Sequence, residues 1–385
     1  MSSVVESIST RDAVDLGFMA RAIRLARLGL YTTDPNPRVG CVLVRAGEMV
    51  GEGYHHHVGG PHAERNALAA AGERARGATA YVTLEPCCHQ GRTPPCTDAL
   101  LAAGVRRVVA AMVDPNPLVA GRGLETLKAA GIEVRVGTLE AEARALNPGF
   151  IKRMSRGLPY VRCKLAASLD GRTAMADGES KWITSEAARR DVQLLRARSS
   201  AILTGIGTLL ADDPALNLRF GAEALPGLRP GDPVRQPLRV LVDSRLRTPA
   251  NARLLGLPGT TLIACPEGQA PTDIMRLEAA GVQVHECVGS EGRVDLASLL
   301  RYLARREINE LLVEAGPTLA GAFLEAGLVD EIVLYLAPHL MGDDARGLFR
   351  LPGLERMRDR IELGIQDLRM IGSDLRITAV PRKTR

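Results

Sequence analysis

Residues 59–96 have the sequence GGPHAERNALAAAGERARGATAYVTLEPCCHQGRTPPC, and this stretch decides the fold of the first half of the chain. A His-Ala-Glu triplet, His62 to Glu64, opens a run of alanines that favours a helix. The apolar run Tyr81 to Leu84 predicts a short buried strand, and Pro94 and Pro95 predict a second helix start at Cys96. The stretch therefore predicts helix, strand and helix, with histidine and cysteine at the junctions.

The side chains at these junctions have the chemistry of a metal centre. His62, Cys87 and Cys96 offer one imidazole and two thiolates, a ligand set that suits Zn²⁺ and leaves a fourth position for water. Glu64 is the carboxylate that we expect to carry a proton, since His62 and Glu64 can converge at the irregular start of a helix. His-x-Glu followed by Pro-Cys and a further Cys is typical of zinc-dependent deaminases.

The spacing of the cysteines departs from that pattern. The pattern has two residues between the cysteines, whereas Cys88 to Pro95 separate Cys87 from Cys96 here. The insert must therefore loop out and return. Cys88 is a competing ligand, but consecutive thiolates seldom bind one tetrahedral ion, so we expect a loop or core residue. His89 is either a loop residue or a substrate contact.

Composition sets the broad class. A chain of 385 residues suits two domains, and 46% hydrophobic with 24% charged residues is ordinary for a globular protein. Aromatic residues make up only 3%, which argues against stacking platforms for single-stranded nucleic acid. Seven dispersed cysteines argue for a reducing compartment, and neither a signal peptide nor an apolar run of spanning length is visible. We expect a cytoplasmic enzyme that binds neither nucleic acid nor membrane.

Alternating helices and short strands continue on both sides of the metal motif. Between Asp12 and Val136 they indicate a three-layer α/β sandwich, with the metal ligands at strand-to-helix junctions. The second half begins with a strand at Tyr160. There, Gly205 and Gly207 lie between a predicted strand and a predicted helix, which suits a phosphate, although residue 210 is Leu and the usual dinucleotide fingerprint is incomplete. A second strand ends at Gly316-Pro317, where a helix of small residues starts.

Longer motifs resemble one family over nearly the whole chain. PNPRVGCVLV (Pro35 to Val44), PHAE and PCCHQGRTPPC are similar to the deaminase half of the bifunctional deaminase/reductase family of riboflavin biosynthesis. The second half resembles the reductase half of that family in four segments: KLAASLDG (164–171), GESKWIT (178–184), TGIGTLLADDPAL (204–216) and VEAGPTLAGAFL (313–324). The resemblance implies a cytidine-deaminase-like sandwich at 12–148, a linker at 149–158 and a dihydrofolate-reductase-like α/β domain at 159–385.

The resemblance also implies the chemistry. The expected first reaction is zinc-dependent hydrolytic deamination of 2,5-diamino-6-ribosylamino-4(3H)-pyrimidinone 5′-phosphate. The second is reduction of 5-amino-6-(5-phosphoribosylamino)uracil with hydride from NADPH. Lys164 and Glu314 match positions that could polarise or protonate the ribose carbonyl oxygen; the alternative for both is a structural ion pair.

The remaining site residues are carried over by position. The positions that match cofactor contacts are Ala166, Trp182, Thr208, Asp212, Ser244, Gly316, Pro317, Thr318, Leu319, Ala320, Gly321 and Ala322. The positions that match substrate contacts are Asn36, Ser180, Arg196, Leu216, Arg219 and Glu314. Arg196 and Arg219 suit a phosphate because a guanidinium binds it bidentately; surface ion pairs are the alternative. Asn36 could equally be a turn residue, and Trp182 a core residue.

Two other functions remain open at this point. One is a deaminase for another base, such as a nucleic-acid adenosine, with an unrelated C-terminal module. The other is a nonenzymatic zinc protein. We expect a homo-oligomer, but the sequence gives little to separate NADPH from NADH or to say which residue protonates the ribose oxygen.

Overall fold

The computed structural model describes residues 9–90, 94–290 and 292–382. The chain divides into two compact units, Met1–Arg156 with Gly221–Val234, and Gly157–Phe220 with Arg235–Arg385. The insert predicted between the two metal-ligand cysteines lies partly outside the described residues, as do the last three residues of the predicted second domain.

The first unit is built on one five-stranded sheet. Its strands have the order β2-β1-β3-β4-β5, in which β1 is antiparallel to β2 and β3, and β3, β4 and β5 are parallel. The elements are α1 (Thr10–Arg27), β1 (Gly40–Arg45), β2 (Glu48–Tyr54), α2 (Ala63–Ala71), β3 (Thr79–Val82), α3 (Cys96–Ala102), β4 (Arg107–Ala110), α4 (Arg122–Ala129), β5 (Glu133–Val136), α5 (Glu140–Leu146) and α6 (Pro148–Arg156).

Helices cover both faces of this sheet, as the alternation predicts. One face packs side chains of β1, β3 and β4 against α2, α3 and α4, with Ala67, Leu100 and Leu127 fully buried. The opposite face packs against α1, α5 and α6, with Met19 and Ala22 fully buried. Because β3 and β4 are parallel, the loops after both strands leave at the same edge of the sheet, where a site is expected.

The segment 149–158, expected to be a linker, is helical over most of its length. Helix α6 ends at Arg156, and Phe150 is buried in the core of the first unit. Ile151 and Met154 pack against the same core, so apolar side chains recur at helical spacing between the basic residues. The basic residues concealed this pattern, and residues 149–156 are part of the first unit, whereas the second unit begins at Gly157.

The second unit contains a nine-stranded sheet with the order β11-β10-β9-β8-β14-β6-β15-β18-β17. Its elements are β6 (Tyr160–Ser168), β7 (Arg172–Ala174), α7 (Glu186–Arg198), β8 (Ala201–Gly205), α8 (Ile206–Asp212), β9 (Leu238–Val242), β10 (Thr261–Pro266), α9 (Pro271–Ala279), β11 (Gln283–Cys287), β12 (Gly289–Ser290), β13 (Arg293–Val294), α10 (Leu296–Arg305), β14 (Glu310–Val313), α11 (Pro317–Glu325), β15 (Glu331–Ala337), β16 (Arg346–Gly347), β17 (Leu363–Ile371) and β18 (Asp374–Pro381).

Most of this sheet is parallel, and only β18, near one end, runs antiparallel to its neighbours β15 and β17. Helices α10 and α11 pack on one face, with Leu299 and Phe323 fully buried, and α7, α8 and α9 pack on the other. The carboxyl ends of β8, β9 and β14 therefore lie at one edge, and Thr208, Ser244 and Glu314 follow those ends. Among the described residues, no helix combines the length and the apolar character that crossing a bilayer requires.

Candidate active sites

Three predicted metal ligands come together in the first unit. His62 is the N-cap residue of α2, Cys87 follows β3, and Cys96 is the first residue of α3. Within the described part of the chain, these are the only residues whose ligand atoms cluster as a metal requires, and all of those atoms lie within 4.8 Å of one another. Cys88 is outside the cluster although it is adjacent in sequence to Cys87.

The separations fit a tetrahedral zinc ion. Bonds of about 2.3 Å to sulfur and about 2.05 Å to nitrogen place the two ligand atoms about 3.6 Å apart in a tetrahedron. His62 Nδ1 lies 3.5 Å from Cys87 Sγ and 3.3 Å from Cys96 Sγ. A hydrogen bond from the Cys96 side chain is the main cause that lowers the pKa of Cys87 to about 4, and a bond with His62 also contributes, so Cys87 is prepared as a thiolate.

Glu64 is buried beside this cluster. Burial, followed by the charge of Cys87, raises the pKa of Glu64 to about 7, whereas the charge of His62 opposes that shift. A carboxyl group with a pKa near 7 both accepts and returns a proton near neutral pH. The structure thus places a carboxylate next to the predicted ligands without making it one of them.

Sequence reasoning missed Glu85, which fixes the loop after β4 against the metal motif. Its buried carboxylate accepts backbone N–H groups from Asp114 at 3.0 Å, Gly121 at 2.9 Å and Gly123 at 2.8 Å. A Cβ on Gly123 would lie 2.1 Å from the carbonyl oxygen of Pro86, so only glycine fits there. An acid directly after a buried strand and before Pro-Cys was the available signal.

Asn36 is held by a histidine that sequence reasoning also missed. Its amide nitrogen lies 3.1 Å from His55 Nε2, and His55 Nδ1 lies 3.1 Å from the carbonyl oxygen of Pro61. That carbonyl needs a donor, so His55 carries its proton on Nδ1 and accepts from Asn36 through Nε2. Burial lowers the pKa of His55, which keeps this ring neutral. Pro61 directly precedes His62, so Asn36 is tied to the metal motif.

In the second unit, the predicted residues Arg196 and Glu314 bind each other. The Arg196 guanidinium donates to the Glu314 carboxylate at 2.7 and 2.9 Å, and also to the Asn217 carbonyl at 3.0 Å. The expectation that Arg196 offers a free bidentate edge to a phosphate is therefore wrong, because the carboxylate occupies that edge. Sequence pattern cannot pair these residues, which are 118 positions apart.

The charge states of Lys164 and Glu314 follow from this pairing. Burial acts to raise the pKa of Glu314, but Arg196 and Lys164 outweigh it, so the pKa is lowered and Glu314 is a carboxylate. Burial lowers the pKa of Lys164, and Glu314 opposes that shift. Glu314 is thus excluded as a proton donor, and Lys164 is the remaining candidate.

Arg219 is the better candidate for a phosphate. Its side chain is exposed, and among the described residues none accepts a hydrogen bond from its guanidinium. Burial and then the neighbouring Arg196 and Arg253 lower its pKa, which indicates a surplus of positive charge. Ser180 is partly exposed. Leu216 is buried in the core, so only its backbone can reach a substrate.

The predicted cofactor residues divide by exposure. Gly316 and Thr318 are exposed, whereas Ala320 and Gly321 are buried and offer no side-chain contact. No side chain caps helix α11, and Thr208 Oγ1 accepts the N–H of Gly316 at 3.2 Å, which joins the starts of α8 and α11. An uncapped helix start suits the phosphates of a dinucleotide.

Trp182 is 70% exposed, so its ring is not a core residue. The guanidinium carbon of Arg189 lies 4.7 Å from the ring centroid and stacks on it. Asp212 forms an ion pair with Lys181 at 3.6 Å. Ala166, on β6, and Ser244, which follows β9, are partly exposed. These residues are compatible with a flat, phosphorylated cofactor.

Comparison with known proteins shows which family each half matches and that one relative matches both halves. Residues 13–112 match the cytidine and deoxycytidylate deaminase zinc-binding region, and residues 159–377 match the RibD C-terminal domain. The riboflavin biosynthesis protein RibD of Escherichia coli is 54% identical over 360 residues, 93% of this chain and 97% of that protein. The chain belongs to the RibD family.

Solved RibD structures have the same fold. RibD of Acinetobacter baumannii matches with a TM-score of 0.87 at 46% identity, over 97% of this chain and 100% of that one. A Thermotoga maritima protein, described as a diaminohydroxyphosphoribosylaminopyrimidine deaminase/5-amino-6-(5-phosphoribosylamino)uracil reductase, matches with a TM-score of 0.81 at 32% identity, over 97% and 100% of the two chains.

These matches confirm the predicted fold class, a cytidine-deaminase-like domain followed by a RibD reductase domain. As a RibD, the chain is a bifunctional enzyme with deaminase and reductase domains, and its cofactors are zinc and NADPH.

Three substitutions distinguish the two cysteines predicted to bind zinc from their neighbour Cys88. We expect Cys87→Ser and Cys96→Ser each to lose zinc, because an alcohol is a much poorer zinc ligand than a thiolate. Cys88→Ser is the matched control, and its zinc content should equal that of the wild type. Metal analysis of the three purified variants measures this; zinc loss only in Cys88→Ser contradicts the assignment.

A fourth substitution tests the support from Glu85. Glu85→Gln places an NH₂ group against backbone N–H donors, and leaving a buried group unsatisfied costs about 1–3 kcal/mol. We expect a loss of that size in the free energy of unfolding, measured by denaturant titration. Glu125→Gln, on the exposed face of α4, is the control and should change little. Equal stability of both variants contradicts the role of Glu85.

Proposed function

We propose that this chain catalyses two successive reactions on phosphorylated pyrimidines. The first removes the 2-amino group of 2,5-diamino-6-ribosylamino-4(3H)-pyrimidinone 5′-phosphate. The second reduces the ribosyl chain of 5-amino-6-(5-phosphoribosylamino)uracil to ribityl, using NADPH. The observation that carries this proposal is the clustering of His62, Cys87 and Cys96 beside Glu64, in a chain that spans 97% of the E. coli RibD.

For the deaminase, His62, Cys87 and Cys96 would hold the zinc ion. Zinc, when bound, makes water a nucleophile near neutral pH. Glu64 takes a proton from the attacking water and delivers it to the leaving amine, so water adds at the ring carbon and ammonia departs. Burial supports this role, because a pKa near 7 lets one carboxyl group act in both directions. Asn36, anchored by His55, would orient the substrate.

For the reductase, the cofactor supplies the hydride. Lys164 donates a proton to the ribose oxygen as the carbonyl is reduced, because Glu314 is held as a carboxylate by Arg196. Arg219 and Ser180 would bind the substrate phosphate, and Arg196 acts by holding Glu314. The start of α11, with Thr208, would bind the cofactor phosphates, and the exposed ring of Trp182 would pack against the cofactor.

The two reactions are separable in one experiment. Purified protein with zinc should convert the diaminopyrimidine substrate to the deaminated product without NADPH, and to the ribityl product with NADPH. Mass spectrometry identifies each product, and the loss of NADPH absorbance follows the second step. Deamination of a nucleic-acid adenosine with no turnover of this pyrimidine contradicts the proposal.

Location and assembly belong to the same proposal. All seven cysteines are described and none forms a disulfide, which supports a reducing cytoplasm. The edge strand β17 exposes Ile365, Leu368 and Met370 at 64%, 58% and 60%, which supports a homo-oligomer. Light scattering of the full chain tests the oligomer.

A further inference from the structure

Arg65 connects the two helix starts that carry metal ligands. It lies on α2 one turn after His62, so both side chains lie on the same side of that helix. Its terminal Nη2 group donates to the carbonyl oxygens of Pro94 and Pro95, each at 3.2 Å. These two residues directly precede Cys96, at the end of the long insert between the cysteines.

Anchoring those two carbonyls restrains the backbone directly before Cys96. Neither proline has an N–H group, so this part of the chain can be anchored through its backbone only by its carbonyl oxygens. Cys96 then begins α3, donates its own N–H to Cys87 Sγ at 3.4 Å, and places its Sγ 3.3 Å from His62 Nδ1. The Arg65 hydrogen bonds therefore act on the same short segment that positions one metal ligand.

The charge of Arg65 matches the charge of the centre. Two thiolate ligands cancel the charge of a bound Zn²⁺, and an ionised Glu64 leaves one excess negative charge. The Nε atom of Arg65 is buried and makes no hydrogen bond within the described part of the chain, so this guanidinium is held in place rather than freely solvated.

We propose that Arg65 is a positioning residue that anchors the segment before Cys96 and thereby retains the zinc ion. This inference rests on the proposed zinc site. The hydrogen bonds of Arg65 go to the backbone of Pro94 and Pro95, so we expect its effect to be on zinc affinity and not on the chemical step itself. It also explains how an insert of this length ends at a defined cysteine.

The test is zinc affinity in the full chain, measured by competition with a chromogenic chelator. Loss of a group that orients a ligand typically weakens metal binding about 10–100-fold, and we expect Arg65→Gln to fall in that range. Arg74→Gln is the matched control, because Arg74 also donates to a backbone carbonyl, that of Val50 at 3.0 Å, but does not contact the segment before Cys96. Arg65→Lys keeps the charge and loses the planar group, and we expect an intermediate affinity.

Thermal unfolding of the zinc-free proteins separates positioning from a purely structural role. The proposal requires the zinc-free Arg65 variants to unfold near the wild-type temperature. The proposal is overturned if Arg65→Lys and Arg65→Gln both bind zinc with wild-type affinity. It is also overturned if both zinc-free variants are destabilised. If only Arg65→Gln is destabilised, the zinc affinity of Arg65→Lys decides: weakened binding supports the proposal and wild-type binding overturns it. If the wild type itself binds no zinc, the proposed deaminase site is wrong, and that result differs from every outcome in which only the Arg65 variants change.

Discussion

Glu64→Gln is expected to abolish deamination while the protein keeps its zinc and its reductase activity. Glutamine has nearly the same volume, so the buried site stays filled, but its amide cannot take a proton from water and pass it on. Removing such a proton carrier typically lowers the rate about 10²–10⁴-fold. Glu64 lies outside the cluster of predicted ligands, which is why the metal content should be unchanged.

Three measurements on this variant decide the matter. Ammonia release reports deamination, metal analysis reports zinc, and the deaminated intermediate supplied directly with NADPH reports the reductase. Glu73→Gln, an exposed position just after α2, is the control and should deaminate normally. Normal deamination by Glu64→Gln means that another group carries the proton, and loss of zinc means that Glu64 supports the metal.

Lys164→Met is expected to have the opposite selectivity, with the reductase lost and the deaminase intact. Methionine keeps most of the apolar length of lysine but has no proton to give. Arg196 donates to Glu314 at 2.7 and 2.9 Å, and this substitution leaves that pair unchanged, so we expect the buried carboxylate to keep a partner. Because general acid catalysis contributes typically about 10²–10⁴-fold, NADPH oxidation with the deaminated intermediate should slow by that factor.

Cofactor binding provides the check on folding. Fluorescence titration should show that Lys164→Met still binds NADPH, since Thr208 and Gly316, the candidates for the cofactor phosphates, are unchanged in this variant. Lys128→Met, at an exposed position of α4, is the control for loss of a positive charge. A normal reductase rate in Lys164→Met removes lysine as the proton donor. Loss of NADPH binding instead assigns Lys164 to the cofactor site.

The metal cluster and the fold of the first unit could be predicted because the relevant signals are local, whereas the fold of the second unit was implied by the family resemblance. A histidine before alanines, a cysteine after an apolar strand and a cysteine after two prolines each mark a junction, and parallel strands bring such junctions to one edge. The strand Tyr160–Ser168 and the helix starts near Gly205 and Gly316 follow from the same kind of pattern. The insert between the cysteines did not prevent this, because both ends are fixed by secondary structure.

The contacts that hold the sites could not be predicted, because they join distant positions. Nothing in the local pattern around Arg196 indicates that Glu314 occupies its guanidinium edge. Glu85 is a charged residue in an apolar context, and only the loop around Gly121 and Gly123 shows what it binds. The exposure of Trp182 likewise depends on packing, which the sequence of a single chain does not report.

Helix α6 also determines where the gene can be divided. A fragment ending at residue 148 would lack Phe150, Ile151 and Met154 and would expose the apolar surface that they cover. The Asn147 side-chain amide accepts the backbone N–H of Arg38 at 2.8 Å and donates to the Arg38 carbonyl oxygen at 2.9 Å, so fraying at that end would disturb the loop that contains Asn36. A fragment that carries the deaminase domain should therefore extend at least through Arg156, although it would still lack Gly221–Val234 of the same unit.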